Sequence, residues 1–131
     1  MARYQSIIDV LIDSGIFGRV YFDHETELPV PYREIGFLKR NALQESSGKG
    51  RGLHKKWADI CAIRNGKVSV IIEEERRATD AKVRADIETI SRCKYLWTDG
   101  REFPFDPGCV LFILLNDNIY NVQERIVHNK G

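Results

Sequence analysis

Asp59-Ile-Cys-Ala-Ile-Arg-Asn-Gly-Lys-Val-Ser-Val-Ile-Ile-Glu-Glu-Glu75 is the stretch on which the reading of the fold turns. Two apolar, β-branched runs flank Asn65-Gly66. Both residues of that pair tolerate positive φ, so the dipeptide marks a tight hairpin. Asp59 opens the first run, and Glu73, Glu74 and Glu75 close the second at the same end of the hairpin. Carboxylates crowded at the edge of an apolar core repel one another and need a cation or a basic partner. Two readings follow. The acids form a cradle for Mg²⁺, a hard ion that favours carboxylate and water oxygens, or they are a solvated charge run from Glu73 to Arg77 where strand meets loop.

The rest of the chain sets the frame for this hairpin. At 131 residues it suits one domain, 1–131, with a single moderate core. A hydrophobic fraction of 43% beside 30% charged residues is that of an ordinary globular protein, neither disordered nor fibrous. No run approaches the roughly 18 apolar residues of a membrane span. The start, Met-Ala-Arg-Tyr-Gln, lacks the basic-then-apolar pattern of a signal peptide, so a cytoplasmic location is expected. Cys61, Cys93 and Cys109 are odd in number, widely spaced and set among apolar residues, the pattern of reduced core thiols rather than a disulfide frame or zinc site. The net charge of +1 is uninformative, but its distribution is not. Lys39, Arg40, Lys49, Arg51, Lys55 and Lys56 face only Glu45 within one stretch just upstream of the acidic hairpin.

In chain order, Tyr4, Ile7, Ile8, Leu11 and Ile12 recur at helical spacing within Arg3 to Ser14, and Ser14-Gly15 ends the run. Arg19 to Phe22 fits a short strand. Asp23 to Glu27 fits a polar loop, in which His24 sits among acids as a candidate ligand or as a merely solvated side chain. Pro31 suits the first turn of a helix expected from about Tyr32 to Glu45, with Glu34 near its start, where the helix dipole favours an acid. Ser46 to Gly52 is a Gly-rich basic loop able to approach a phosphate chain closely. It lacks the Gly-x-x-x-x-Gly-Lys-Ser/Thr pattern of a nucleotide-binding loop. After the hairpin, Thr79 or Asp80 can cap a helix from Ala81 to Leu96 or Trp97, with Val83, Ile87, Ile90, Lys94 and Trp97 on one face. Thr98 to Gly108 is a turn-rich connection marked by Asp99-Gly100 and two prolines. Val110 to Leu115 is a further buried strand, and Ile119 to Val127 a short terminal helix or strand. This order predicts an α/β protein: a single-domain mixed β-sheet whose central hairpin is flanked by helices.

An Asp opening one hairpin strand and an acid-x-acid closing the next, between helices, resembles the PD-(D/E)xK nuclease superfamily over roughly Trp57 to Leu115. Here Ala58-Asp59 stands for Pro-Asp, and Glu73-Glu74-Glu75 stands where acid-x-Lys is expected. The Lys is absent, and Glu73-x-Glu75 is similar to the Glu-x-Glu variant of some type II restriction endonucleases. Arg84-Ala85-Asp86-Ile87, opening the next helix, is loosely similar to those enzymes as well. The resemblance implies a restriction-endonuclease-like fold and a metal-dependent DNA endonuclease of restriction, repair or junction-resolving type. Asp59 and Glu73 would hold Mg²⁺ or Mn²⁺, Glu75 would replace the Lys as a third catalytic residue, and Lys82 would supply a displaced positive charge. Lys39, Arg40, Lys49, Arg51, Lys55 and Lys56 would neutralise DNA phosphates. A homodimer would let each protomer cut one strand. The missing Lys supports an alternative, a catalytically inactive nuclease-fold module that binds nucleic acid or a protein partner.

Strand register decides which acids can meet. With Asn65-Gly66 as a two-residue turn, Arg64 pairs with Lys67, and Asp59 shares a face with Glu74 and Arg76. With a three-residue loop and a glycine bulge, the pairing moves by one and Asp59 shares a face with Glu73 and Glu75.

Overall fold

A computed structural model of the chain describes residues 5–22, 40–49, 51–75 and 79–115. Within them run α1 (Gln5–Asp13), β1 (Arg19–Phe22), β2 (Asn41–Gln44), a 3-10 turn (Arg51–Leu53), β3 (His54–Ala58), β4 (Ile60–Arg64), β5 (Lys67–Glu75), α2 (Asp80–Arg92), β6 (Tyr95–Thr98) and β7 (Arg101–Leu115). The strands form one mixed seven-stranded sheet in the order β1-β4-β5-β7-β6-β2-β3. Only β5 and β7 run parallel. The α/β class and the interior position of the hairpin thus stand as expected, with β4 between β1 and β5, and β5 between β4 and β7.

The apolar residues of β4 alternate between two cores, which explains why this strand carries no polar face. Ile60 and Ala62 pack with Ile8, Val20, Phe22 and Ile72, and Ile7, Leu11 and Ile12 of α1 lie against that cluster. Cys61 and Ile63 point the other way, to Tyr21, Leu43, Val68, Ile71, Ile90 of α2 and Leu96. Each large aliphatic side chain so buried contributes roughly 1.5–3 kcal/mol. Cys61 and Cys93 are buried and Cys109 partly so, all three as free thiols. Burial pushes the Cys93 and Cys109 thiols up to about 11, which keeps them protonated and inert.

Three expectations are corrected. The helix expected from Tyr32 to Glu45 falls partly outside the described residues, and its last part is strand: Asn41–Gln44 is β2, inserted between β3 and β6. All four residues are buried, which a surface helix at this place does not allow. The polar ends are accommodated by side-chain bonds. Asn41 Nδ2 donates to the carbonyls of Tyr21 (3.3 Å) and Ala58 (3.1 Å), and its Oδ1 accepts from Thr98 Oγ1 at 3.0 Å. Second, the helix expected to reach Leu96 or Trp97 stops at Arg92. Cys93 turns extended, and Tyr95–Thr98 becomes β6.

Third, Thr98 to Gly108 is not simply a connection. Asp99 and Gly100 both adopt positive φ, 54° and 66°, and close a second hairpin in which Thr98 faces Arg101. β7 pairs with β6 as far as Pro104, then crosses to β5, where Phe105 faces Val68 and Val110 faces Val70. Residues 106–109 absorb the offset as an outward bulge, with the Gly108 N–H bonded to Asp106 Oδ2 at 2.8 Å. The strand expected at Val110–Leu115 is the second half of β7. His24, Glu34 and the segment Ile119 to Val127 lie outside the described residues.

Candidate active site

The hairpin is closed by Asn65 and Gly66, at φ 53° and 74°, with Arg64 opposite Lys67. That is the two-residue turn. The pairing nevertheless shifts by one, because Ile63 faces Val68 while Ala62 faces Val70, leaving Ser69 as an extra residue in β5. From there Cys61 faces Ile71 and Ile60 faces Ile72. A bulge within the strand therefore gives the face arrangement that a three-residue loop gives at the turn. Asp59 comes opposite Glu73, on the α2-facing side that also carries Glu75.

Asp59 occupies a break in the backbone. β3 and β4 would be one strand without it, but β3 pairs with β2 and β4 with β1 and β5. At this break Asp59 Oδ2 accepts the Glu74 N–H at 2.6 Å, and the Asp59 side chain is hydrogen-bonded to that of Glu73. Glu73 is only 4% exposed. Burial, then the neighbouring Asp59, pushes its carboxyl up to about 8, against the pull of Lys56. Two carboxyls in contact share a proton rather than ionise together.

Lys56, the residue three before Asp59, reaches the same place from β3. Its Nζ lies 3.0 Å from Glu73 Oε2 and 2.8 Å from Asp86 Oδ1 of α2. Burial works to lower the ammonium's pKa, but the hydrogen bonds and charges of Asp86 and Glu73 outweigh it and raise it. A second carboxyl pair flanks the first. Glu75 is raised above the carboxylate range, first by its hydrogen bond to Asp86 and then by burial. Asp86 is lowered despite its own desolvation, by Glu75 and then by Lys56. Lys82 approaches Glu75 Oε2 at 3.8 Å from the solvent side.

The arrangement is thus two carboxyl pairs, Asp59–Glu73 and Glu75–Asp86, with one partly buried ammonium between them. Thr79 fixes α2 against it by accepting the Lys82 N–H at the helix N-cap, and Ile90 anchors the helix in the core. Among the described residues no three Asp, Glu, His or Cys side chains form a ready-made metal cluster. The donor set of Asp59 and Glu73 still fits a hard cation: two carboxyl groups in contact, one holding a proton that a divalent ion would have to displace.

The basic stretch is divided by the alternation of β3. Lys56 is turned inward, whereas Lys55 is exposed. Arg40 is exposed and its guanidinium lies over the Trp57 ring, and Lys49 is exposed near Trp97. Lys39 lies outside the described residues, and for Arg51 the backbone alone, in the 3-10 turn, is described. In the sequence Asp86 stands only within the Arg84 to Ile87 stretch, with no role attached to it. Its signal is its spacing from Val83 and Ile90, at i+3 and i−4 on the packed side of α2. Comparison with protein-family models, with curated proteins and with solved structures returned no match.

Proposed function

We propose that this protein is a metal-dependent nuclease of restriction-endonuclease-like fold that hydrolyses phosphodiester bonds in nucleic acid. The observation carrying this reading is the contact between the Asp59 and Glu73 carboxyls at a strand break, with the Lys56 ammonium 3.0 Å from Glu73. Charges of one sign are brought together there inside a protein that has apolar alternatives, and such frustration concentrates where function requires it.

Asp59 and Glu73 hold the cation in this reading. Bound Mg²⁺ or Mn²⁺ supplies polarisation of a phosphoryl oxygen and a lowered pKa for a coordinated water. The chain's own groups do the rest. Lys56, fixed by Asp86, keeps a positive charge where the phosphorane oxygens develop negative charge. It takes the part that the resemblance assigns to the absent Lys and that Lys82, largely exposed, is less well placed to fill. Glu75, raised above the carboxylate range by its hydrogen bond to Asp86 and by burial, is the group able to exchange a proton with the attacking water or the leaving oxygen. Restriction, repair and junction resolution remain equal candidates for the biological setting, and a dimer in which each copy cuts one strand suits all three.

Supercoiled plasmid incubated with Mg²⁺ or Mn²⁺ tests the proposal. Nicking by the wild type, lost in Asp59→Asn and Glu73→Gln, is the expected result. Intact plasmid across metals and salt concentrations contradicts it. A second reading, an inactive module that binds nucleic acid, is favoured by one feature: Lys56 already occupies the side of Glu73 that a metal would approach, 3.0 Å from Oε2. Salt-sensitive DNA binding that is unchanged in Asp59→Asn, with no cleavage by the wild type, selects that reading.

A further inference from the structure

Lys56 points into the carboxylate site, and its neighbour Trp57 points the opposite way. On that outer face the register lines up Trp57 of β3, Ala42 of β2, Trp97 of β6 and Glu102 of β7. Directly opposed residues share a face of a sheet. Ala42 is buried between the two indoles, and Trp57 stays 42% exposed. With neighbouring strands about 4.8 Å apart, the two tryptophans stand roughly 10 Å apart. That is the length of about three stacked nucleotides at 3.4 Å each.

The surroundings of this row are cationic and held in place. The Arg40 guanidinium lies 4.1 Å from the centroid of the Trp57 ring, and His54 meets the same ring edge-on at 5.1 Å. Glu102, the acid of the row, accepts from Ser47 Oγ and from the Gly48 N–H, each at 2.7 Å. These bonds fold the Gly-rich loop onto the sheet and bring Lys49 Nζ to 6.0 Å from the Trp97 ring. Lys55, the extra residue where β3 slips against Leu43 and Gln44 of β2, is exposed beside Trp57 on this edge strand. Planar groups for bases and cations for phosphates are therefore interleaved on one surface, the combination that binds single strands without sequence preference.

We propose that the outer face of β3, β2 and β6 is a stacking platform for unpaired nucleotides, with Trp57, Trp97 and Arg40 receiving bases and Lys49 and Lys55 receiving phosphates. The inference rests on the nuclease reading for the kind of polymer and adds its form, a substrate with a single-stranded segment. Such a strand would pass over β3 from the platform to Lys56 and Asp59 on the other side.

The chain has two tryptophans, and both are in this row, so intrinsic fluorescence reports this face alone. The probe is a 12-mer of deoxythymidine, titrated into the full chain in EDTA so that binding is read without cleavage. The expected result is saturable quenching of both tryptophans, shielding from acrylamide, and affinity weakened about tenfold or more in Trp57→Ala, with Trp57→Phe retaining most of it. Polyphosphate of equal charge is expected to bind more weakly, with little quenching. The acrylamide measurement needs no variant, so it decides the matter even if Trp57→Ala does not fold. Absence of shielding, equal quenching by polyphosphate, or tighter binding of a duplex overturns the proposal. Equal quenching by poly-glutamate overturns it in favour of an acidic protein partner. Asp59→Asn separates this inference from the nuclease reading: stacking that persists while wild-type cleavage is absent removes the nuclease alone, and cleavage without stacking removes the platform alone.

Discussion

Two polar clusters adjoin at the junction of β3 and β4, and they are built on opposite terms. At Ala58 the Asn41 side chain, Thr98 Oγ1 and two main-chain carbonyls form a neutral network in which donors match acceptors at 3.0 to 3.3 Å. One residue on, at Asp59, four carboxyls meet in two pairs, and one member of each pair, Glu73 and Asp86, binds a partly buried lysine. Satisfied neutral networks hold a core in one arrangement. A cluster with surplus like charge does the reverse, storing a demand for a cation that folding alone does not meet. The comparison separates a group retained for stability from one retained for chemistry, and substitutions should show opposite signatures at the two places.

The largest expected effect is on cleavage. Asp59→Asn should lower the nicking rate about a hundredfold or more, yet leave thermal stability unchanged or raised at pH 8, because the amide keeps the bond from Glu74 N–H and relieves repulsion. Asn41→Ala should do the opposite, destabilising the fold by about 2–3 kcal/mol through unsatisfied buried groups. The remaining folded protein should cleave normally. Denaturant unfolding alongside plasmid nicking checks both.

Lys56→Met comes next. It should cost about 1–3 kcal/mol at pH 9, where Glu73 must take up a proton or stand as an uncompensated buried charge, and less at pH 6, where that carboxyl is protonated with or without Lys56. Equal losses at the two pH values would place Lys56 outside the charge balance of the site. The smallest effect is a pH slope. The folded-state pKa of Glu73, about 8, lies above its ordinary value of 4.5, so the folded protein binds the extra proton between them. Metal-free stability should therefore fall as pH rises from 4.5 through 8, and Glu73→Gln should remove most of that slope. Melting temperatures in EDTA across this range measure it.

Much of this contrast was legible in the residues, for local reasons. Asn65-Gly66 specifies its turn by φ alone, and a run such as Val68 to Ile72 has few alternatives to a buried strand. What escaped depends on tertiary partners. Nothing in Val-Ser-Val announces that Ser69 is extruded from the ladder, yet that single residue decides which glutamates meet Asp59. Asn41-Ala-Leu-Gln44 continues a helical pattern, and becomes strand only because β3 and β6 close on both its edges. Asp99-Gly100 carried the same signal as Asn65-Gly66, but the prolines after it obscured the strand they interrupt. Charge alone groups Lys56 with its neighbours, whereas the fold turns it inward and leaves Lys55 exposed.

The central claim is that Asp59 and Glu73 together grip one divalent cation, and calorimetric titration of Mn²⁺ in buffers of different ionisation enthalpy tests it most directly. At pH 7 one saturable site per chain is expected, with release of about one proton, since the ion displaces the proton held by Glu73. Both the binding and the proton release should disappear in Asp59→Asn and in Glu73→Gln. No binding by the wild type, or binding of equal strength in Asp59→Asn, would contradict it.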